Sequence, residues 1–114
     1  MKKNLLTLAV LVLGAGAAFA EGKSPRFLNR TDETITHLQL APAGTTAWGE
    51  DLCKYDDEGA VEHNERLNLV GVKSGRYDVK LADKKGRTCT IKNINVQEGA
   101  QFIIHEADVA SCGK

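Results

Sequence analysis

The sequence predicts an all-β fold, a small antiparallel sandwich or barrel of about six to seven strands with one disulfide and one long loop. Three observations lead there. Apolar and polar residues alternate at a period of two, as where Tyr77, Val79 and Leu81 are set against Asp78, Lys80 and Ala82. Gly, Asn, Asp and Pro punctuate the runs. Beyond the first 20 residues, no segment sustains apolar residues at helical spacing.

The chain opens with Lys2 and Lys3, an apolar run from Leu5 through Leu13, and small residues ending in Ala18-Phe19-Ala20 before Glu21. This is the layout of a secretory signal peptide with an A-x-A cleavage site. The run is shorter than the roughly 20 residues that span a bilayer's hydrocarbon core. No cysteine follows the cleavage site, which closes the lipoprotein route. The expected organisation is a signal peptide, 1–20, and a single β-domain, 21–114, periplasmic or secreted, with no stable membrane anchor after cleavage. Loss of the two leader lysines takes 15 basic and 15 acidic residues to 13 and 15, a net charge of −2. On such a balance neither nucleic acid nor an anionic membrane is an expected partner.

The elements follow in order. Residues 26–29 form a short strand ended by Asn29-Arg30-Thr31-Asp32, and 34–40 form a second that stops at Ala41-Pro42-Ala43-Gly44. Leu67 and Leu69 place a third within 66–72, closed by Ser74-Gly75. The Tyr77 strand ends at the polar turn Asp83-Lys84-Lys85-Gly86, and 88–96 resumes with Cys89, Ile91, Ile94 and Val96. The apolar phase slips between Ile91 and Ile94, which predicts a bulge near Lys92-Asn93. After Glu98-Gly99 a further strand covers 101–105, so that the second half reads as a three-stranded meander. Residues 106–110 have room for one helical turn.

The irregular part is 45–65, long for a compact domain and a natural place for function. It holds the only tryptophan, in Trp48-Gly49-Glu50-Asp51-Leu52-Cys53. Trp48, Gly49, Asp51 and Leu52 are the candidate binding loop. Gly49 permits a tight turn and Asp51 a side-chain cap. The favoured reading of Trp48 itself is that it and Leu52 fold back to close one end of the core, because a domain this small needs every large apolar side chain it has. A surface anchor for a partner is the other. Of the three cysteines, Cys89 and Cys112 are expected to pair. Cys89 begins at an inward strand position and Cys112 would tie down the tail. Cys53 is then left over, most simply as a buried small apolar group beside Leu52, otherwise as a reactive thiol or an intermolecular bridge.

Catalytic and metal motifs are missing. His37, His63 and His105 lack ligand spacing, so no metal site is expected. Glu50, Asp51, Asp56, Asp57 and Glu58 form an acidic stretch without the register of an EF-hand. None of Ser24, Ser74 and Ser111 stands in G-x-S-x-G, and neither C-x-x-C nor a phosphate-binding glycine loop occurs. No catalytic residue and no cofactor is expected.

The ordered series Asn29-Arg30-Thr31, Ile35 to Pro42, Trp48-Gly49-Glu50-Asp51-Leu52, Tyr77-Asp78-Val79, Asp83-Lys84-Lys85-Gly86, Cys89-Thr90 and Cys112 resembles a family of small secreted bacterial β-domains, largely without assigned function. The resemblance covers most of 27–112 and implies a β-sandwich in the cell envelope, with no catalytic residues to carry over. Cys53 departs from it, standing where such sequences more often carry an aliphatic residue, and the loop after it is longer and more acidic. Ser74-Gly75-Arg76-Tyr77 is also similar to the Ser-Gly-x-x-Tyr stretch of secreted lysozyme inhibitors, one residue short.

The function expected from these features is non-enzymatic: an exported envelope domain that binds a protein or another envelope component. Two alternatives are an inhibitor of a secreted hydrolase such as lysozyme, and a small hydrolase using acidic residues of 50–58.

Overall fold

The computed structural model describes residues 23–113. The signal peptide expected at 1–20 lies outside them. Six strands run in order as β1 (Arg26–Arg30), β2 (Ile35–Pro42), β3 (Arg66–Asn68), β4 (Gly75–Asp83), β5 (Thr88–Val96) and β6 (Gln101–His105). A 3-10 helix, Leu52–Tyr55, sits between β2 and β3, and one turn of helix, α1 (Glu106–Val109), follows β6. The strands form two three-stranded sheets, β3-β1-β6 and β2-β4-β5. The fold is thus a small all-β sandwich. Among the described residues, no helix is long and apolar enough to cross a membrane.

The core lies between the sheets. Phe27, Ile35, Leu38, Leu69, Val79, Leu81, Ile104 and Val109 are buried there. Phe27 meets Phe102 across the β1–β6 ladder, with ring centroids 5.3 Å apart. Cys89 and Cys112 form the disulfide, their Cα atoms 5.4 Å apart. It ties the chain after α1 to the start of β5, where the Thr88 N–H also donates to Gly113 O.

The meander does not form as predicted. β4 and β5 are an antiparallel hairpin, but β6 crosses to the other sheet and pairs in parallel with β1. Alternation shows which side of a strand is buried and leaves its neighbour open, so an N-terminal partner for β6 had no local signal. Strand β3 is also shorter than 66–72, because Gly71 takes a left-handed φ of 79° and the chain turns.

The bulge falls where the phase slip placed it. Tyr77 faces Ile94 and Val79 faces Ile91, so that β5 carries one extra residue at Lys92-Asn93, and Asn93 adopts φ 60°. Asp78 lies opposite. The alternation of β4 places it on the polar face of the strand, yet it is 1% exposed. Its carboxylate accepts from the Asn93 N–H at 2.9 Å and the Gly44 N–H at 3.0 Å. Those bonds, with Lys92 nearby, hold it below the usual carboxylate range. Gly44, at φ +83°, presents its N–H from a backbone that other residues adopt at a cost.

Two further motifs are structural locks. Asn29 is fully buried and all its hydrogen-bonding capacity is used. Its amide donates to Glu33 O and Val61 O, and its Oδ1 accepts from the Thr31 N–H and hydroxyl. The Asn-x-Thr pattern thereby fastens β1 to the β1–β2 turn and to the long loop. In the Asp83–Gly86 turn, Asp83 accepts from the N–H groups of Lys85 and Arg87 and from Arg87 Nε at 2.9 Å. Arg87 then reaches α1, which follows the last strand of the other sheet, through a paired contact with Glu106 at 2.8 and 3.1 Å.

Candidate functional site

The β2–β3 connection is laid along the edge of β2 rather than hanging free. The Gly49 N–H donates to Leu40 O at 2.9 Å, and Gln39 Nε2 donates to Gly49 O. Asp51 is the second anchor. Its Oδ1 accepts from the Leu38 N–H at 3.0 Å and from the Cys53 N–H at 3.1 Å, capping the 3-10 helix. Its Oδ2 lies 2.7 Å from His37 Nδ1. Burial alone would raise the Asp51 pKa, but the Leu38 N–H, His37 and the Cys53 N–H outweigh it and hold the carboxyl low. Gly49 has no left-handed backbone, so its bond to Leu40 rather than a tight turn sets its place.

The loop residues separate in their roles. Leu52 is 3% exposed and belongs to the core. Trp48 does not. It is half-buried and lies outside the core cluster, with Lys80 Nζ 4.7 Å from its ring centroid. Lys80 is at an outward position of β4, so the ring lies against the outside of the second sheet as a cation–π partner. Closure of the core end falls to Leu52, and Trp48 is not the plug that its size suggested. Trp48→Ala is expected to cost about 1 kcal/mol, the scale of an exposed cation–π pair. Urea denaturation measures it. A loss of about 3–5 kcal/mol, the scale of an emptied aromatic core site, would contradict this placement.

Beside this loop the sandwich opens into a cleft of about 250 Å³, lined by Leu40, Leu52, Val70, Val72 and Tyr77, with Gly49, Glu50 and Gly71 completing it. Val70 is 45% exposed, a large apolar side chain left in water at the mouth. Tyr77 donates its hydroxyl to Lys73 O at 2.9 Å, which draws the β3–β4 connection over the cleft. Glu50 stands at the rim, paired with Lys54 at 2.6 Å and with the Tyr55 hydroxyl at 2.8 Å. The Lys54 contact chiefly keeps its carboxyl ionised below the ordinary range. Of the predicted loop residues, Gly49 and Leu52 line this cleft, whereas Trp48 and Asp51 flank it. Val70, Val72 and Tyr77 were missed. The available signal was Val70 itself, apolar at the position after Leu69 and so out of step with the inward pair Leu67 and Leu69.

The acidic stretch is dispersed among local partners. Asp56 Oδ2 accepts from the Glu58 N–H at 2.8 Å, and its carboxyl is in contact with that of Glu65. Burial, and then that contact, raise the Glu65 pKa. The histidines are separated as well: His37 bonds Asp51, His63 Nδ1 lies 2.6 Å from Thr31 O, and His105 is 3.7 Å from Asp108. Among the described residues, no group of three His, Cys, Asp or Glu side chains comes together to hold a metal ion. Cys53 is a free thiol, 1% exposed, with Ile35 O at 3.7 Å. Burial first, and then the charges of Asp51, Asp56 and Glu65, push its pKa up to about 12, so it stays an unreactive thiol at neutral pH. Ser74 of the Ser-Gly-Arg-Tyr stretch is bonded to the turn at Glu98, its hydroxyl accepting from the Glu98 N–H at 2.8 Å.

No protein-family model matches the chain, and no solved structure matches it. Among curated proteins it is similar to the protein translocase subunit SecA of Cutibacterium acnes, with 30% identity over 97 residues. That match takes in 75% of this chain and 11% of the translocase subunit. The chain therefore spans about a ninth of the relative's length, and a likeness over so small a share carries none of that protein's activity with it.

Proposed function

We propose that the chain is a non-catalytic, exported envelope domain that acts by binding a protein, with the cleft beside the Trp48 loop as its binding face. The observation that carries this reading is the exposed apolar mouth formed by Val70 and Val72 over Leu40, Leu52 and Tyr77. At about 250 Å³ the cleft is smaller than the roughly 300–1,000 Å³ of small-molecule sites. It suits one or two apolar side chains of a partner. Export is supported by the N-terminal pattern of residues 1–20 and by the disulfide, a bond kept in oxidising compartments.

The test is capture from the native envelope with the mature chain and with Val70→Asp. Val70 sits in an exposed turn, so the variant should melt with the parent. It should also lose its partner at least tenfold, the scale of a truncated interface anchor. Equal recovery of the same proteins by both chains would refute the cleft as the binding face.

A further inference from the structure

Three of the five arginines stand on one surface, the outer face of the sheet β3-β1-β6. In β1 the residues Phe27 and Asn29 point inward, which turns Arg26, Leu28 and Arg30 outward. The ladders set Asn68 and Gln101 beside Arg26, Arg66 and Ile103 beside Leu28, and His105 beside Arg30. The outer face therefore carries three arginines, with Asn68, Gln101 and His105, around the apolar pair Leu28 and Ile103. Arg26 and Arg30 are separated by about 13 Å along the strand, and Arg66 lies diagonally between them at about 7–8 Å from each.

The packing of Arg66 adds a second observation. Its Nε donates to Gln101 Oε1 at 2.8 Å, although Gln101 is on β6 and Arg66 is on β3. The side chain must therefore cross the outer face of β1 over the row of Leu28, which is 6% exposed and lies outside the core cluster. That bond also brings the Arg66 guanidinium to the row of Arg26, whose direct ladder partner is Gln101. Among the described residues, none of Arg26, Arg30 and Arg66 has a carboxylate within 4.0 Å, whereas Arg87 has two. Of the carboxylates at the strand ends, Asp108 lies 3.7 Å from His105 and Glu106 is paired with Arg87. Like charges gathered without a counter-charge add nothing to folding. An anion that bridges them would be held by guanidinium forks suited to phosphate oxygens.

We propose that this face docks on a membrane surface of anionic phospholipid, with Arg26, Arg66 and Arg30 on headgroup phosphates and Ile103 against the interface. The face is a sheet surface rather than a groove, and Ile103 stands 37% exposed among the charges, a combination that fits a planar, half-apolar partner. This surface is separate from the Val70 cleft, so either reading can fail alone.

The test is co-sedimentation of the mature chain with vesicles of phosphatidylcholine alone and of phosphatidylcholine mixed with phosphatidylglycerol. Binding is expected only to the phosphatidylglycerol vesicles and should fall as salt rises. The triple variant R26Q/R30Q/R66Q should bind roughly a hundredfold more weakly, at about fivefold per arginine. R30Q alone, at an exposed strand end, should show the single step with an unchanged melting temperature. Arg76 on the opposite sheet is the control, and R76Q should bind as the parent does. Failure of the parent chain to prefer anionic vesicles would overturn the proposal, as would undiminished binding by the arginine variants. Binding of soluble inorganic triphosphate with no binding to phosphatidylglycerol vesicles would overturn the lipid assignment.

Discussion

Arg87→Met is expected to destabilise the fold by about 3–5 kcal/mol, because it leaves a buried carboxylate without its counter-charge. Arg87 is only 14% exposed, the Asp83 side chain is fully buried, and Glu106 is 33% exposed. One guanidinium thus serves the hairpin of one sheet and the helix that follows the other. Its contact with Glu106, ahead of that with Asp83, raises the Arg87 pKa above its ordinary value. The same contact, with the Asp32 N–H, lowers Glu106 from 4.5 to about 2. A carboxyl depressed in the folded state adds stability that is present above its unfolded pKa and lost as pH falls through the folded value. For Glu106 that window runs from 4.5 down to about 2. Glu65, whose pKa is raised, works in the opposite sense and favours the fold below its own titration. The check is urea denaturation of both chains across the acid range. The parent should lose stability between those limits, and Arg87→Met should lose less over the same interval because its Glu106 has no partner. Parallel curves for the two chains would contradict the assignment.

The sequence carried the strands through their period of two, and even the β5 bulge was legible, because an inserted residue shifts the apolar phase from Ile91 to Ile94. What it left open was pairing. The partner of β6 lies 75 residues earlier in β1, and nothing in the alternation of Phe102 and Ile104 distinguishes that neighbour from β5. Asp78 misled for a related reason. Its burial depends on N–H groups from Gly44 and Asn93, each far along the chain, so its place among polar residues read as exposure. Trp48 misled through size. A large ring was expected in the core, but Lys80 gives it an outer shelter and Leu52 is enough to close the end. The candidate site divides in the same way. Its loop was visible through composition, while the cleft depends on Val70 and Tyr77 being brought to Leu40 by the fold. The basic face needed both ladders of β1 before Arg66 could be placed beside Arg26 and Arg30.

Removal of the Cys89–Cys112 bridge is expected to lower stability by about 3.4 kcal/mol on the loop-closure account, with the two residues 23 apart in sequence. Against a total of about 5–15 kcal/mol for a small domain, that is a large share. The mechanism lies mostly in the unfolded chain, which gains freedom when the ring opens. In the folded state the bridge has a local task. The Thr88 N–H reaches Gly113 O, and Val109 is fully buried under the turn that Cys112 closes through its own N–H to Val109 O. Reduction should therefore expose the Thr88 amide to exchange before the hairpin opens. A denaturation series on the oxidised chain, the reduced chain and the C89A/C112A variant measures the loss, and near-identical midpoints would contradict it. The effect should also depend on Arg87, since Glu106 and the bridge hold α1 from its two ends. With α1 already freed at one end, losing the second tether releases a segment that is partly loose. Arg87→Met and C89A/C112A together should then cost less than the sum of their separate losses, by about 0.5–3 kcal/mol for sites that share one element. Strict additivity in that double-mutant cycle would mean that the bridge acts through the unfolded chain alone and not through its hold on α1.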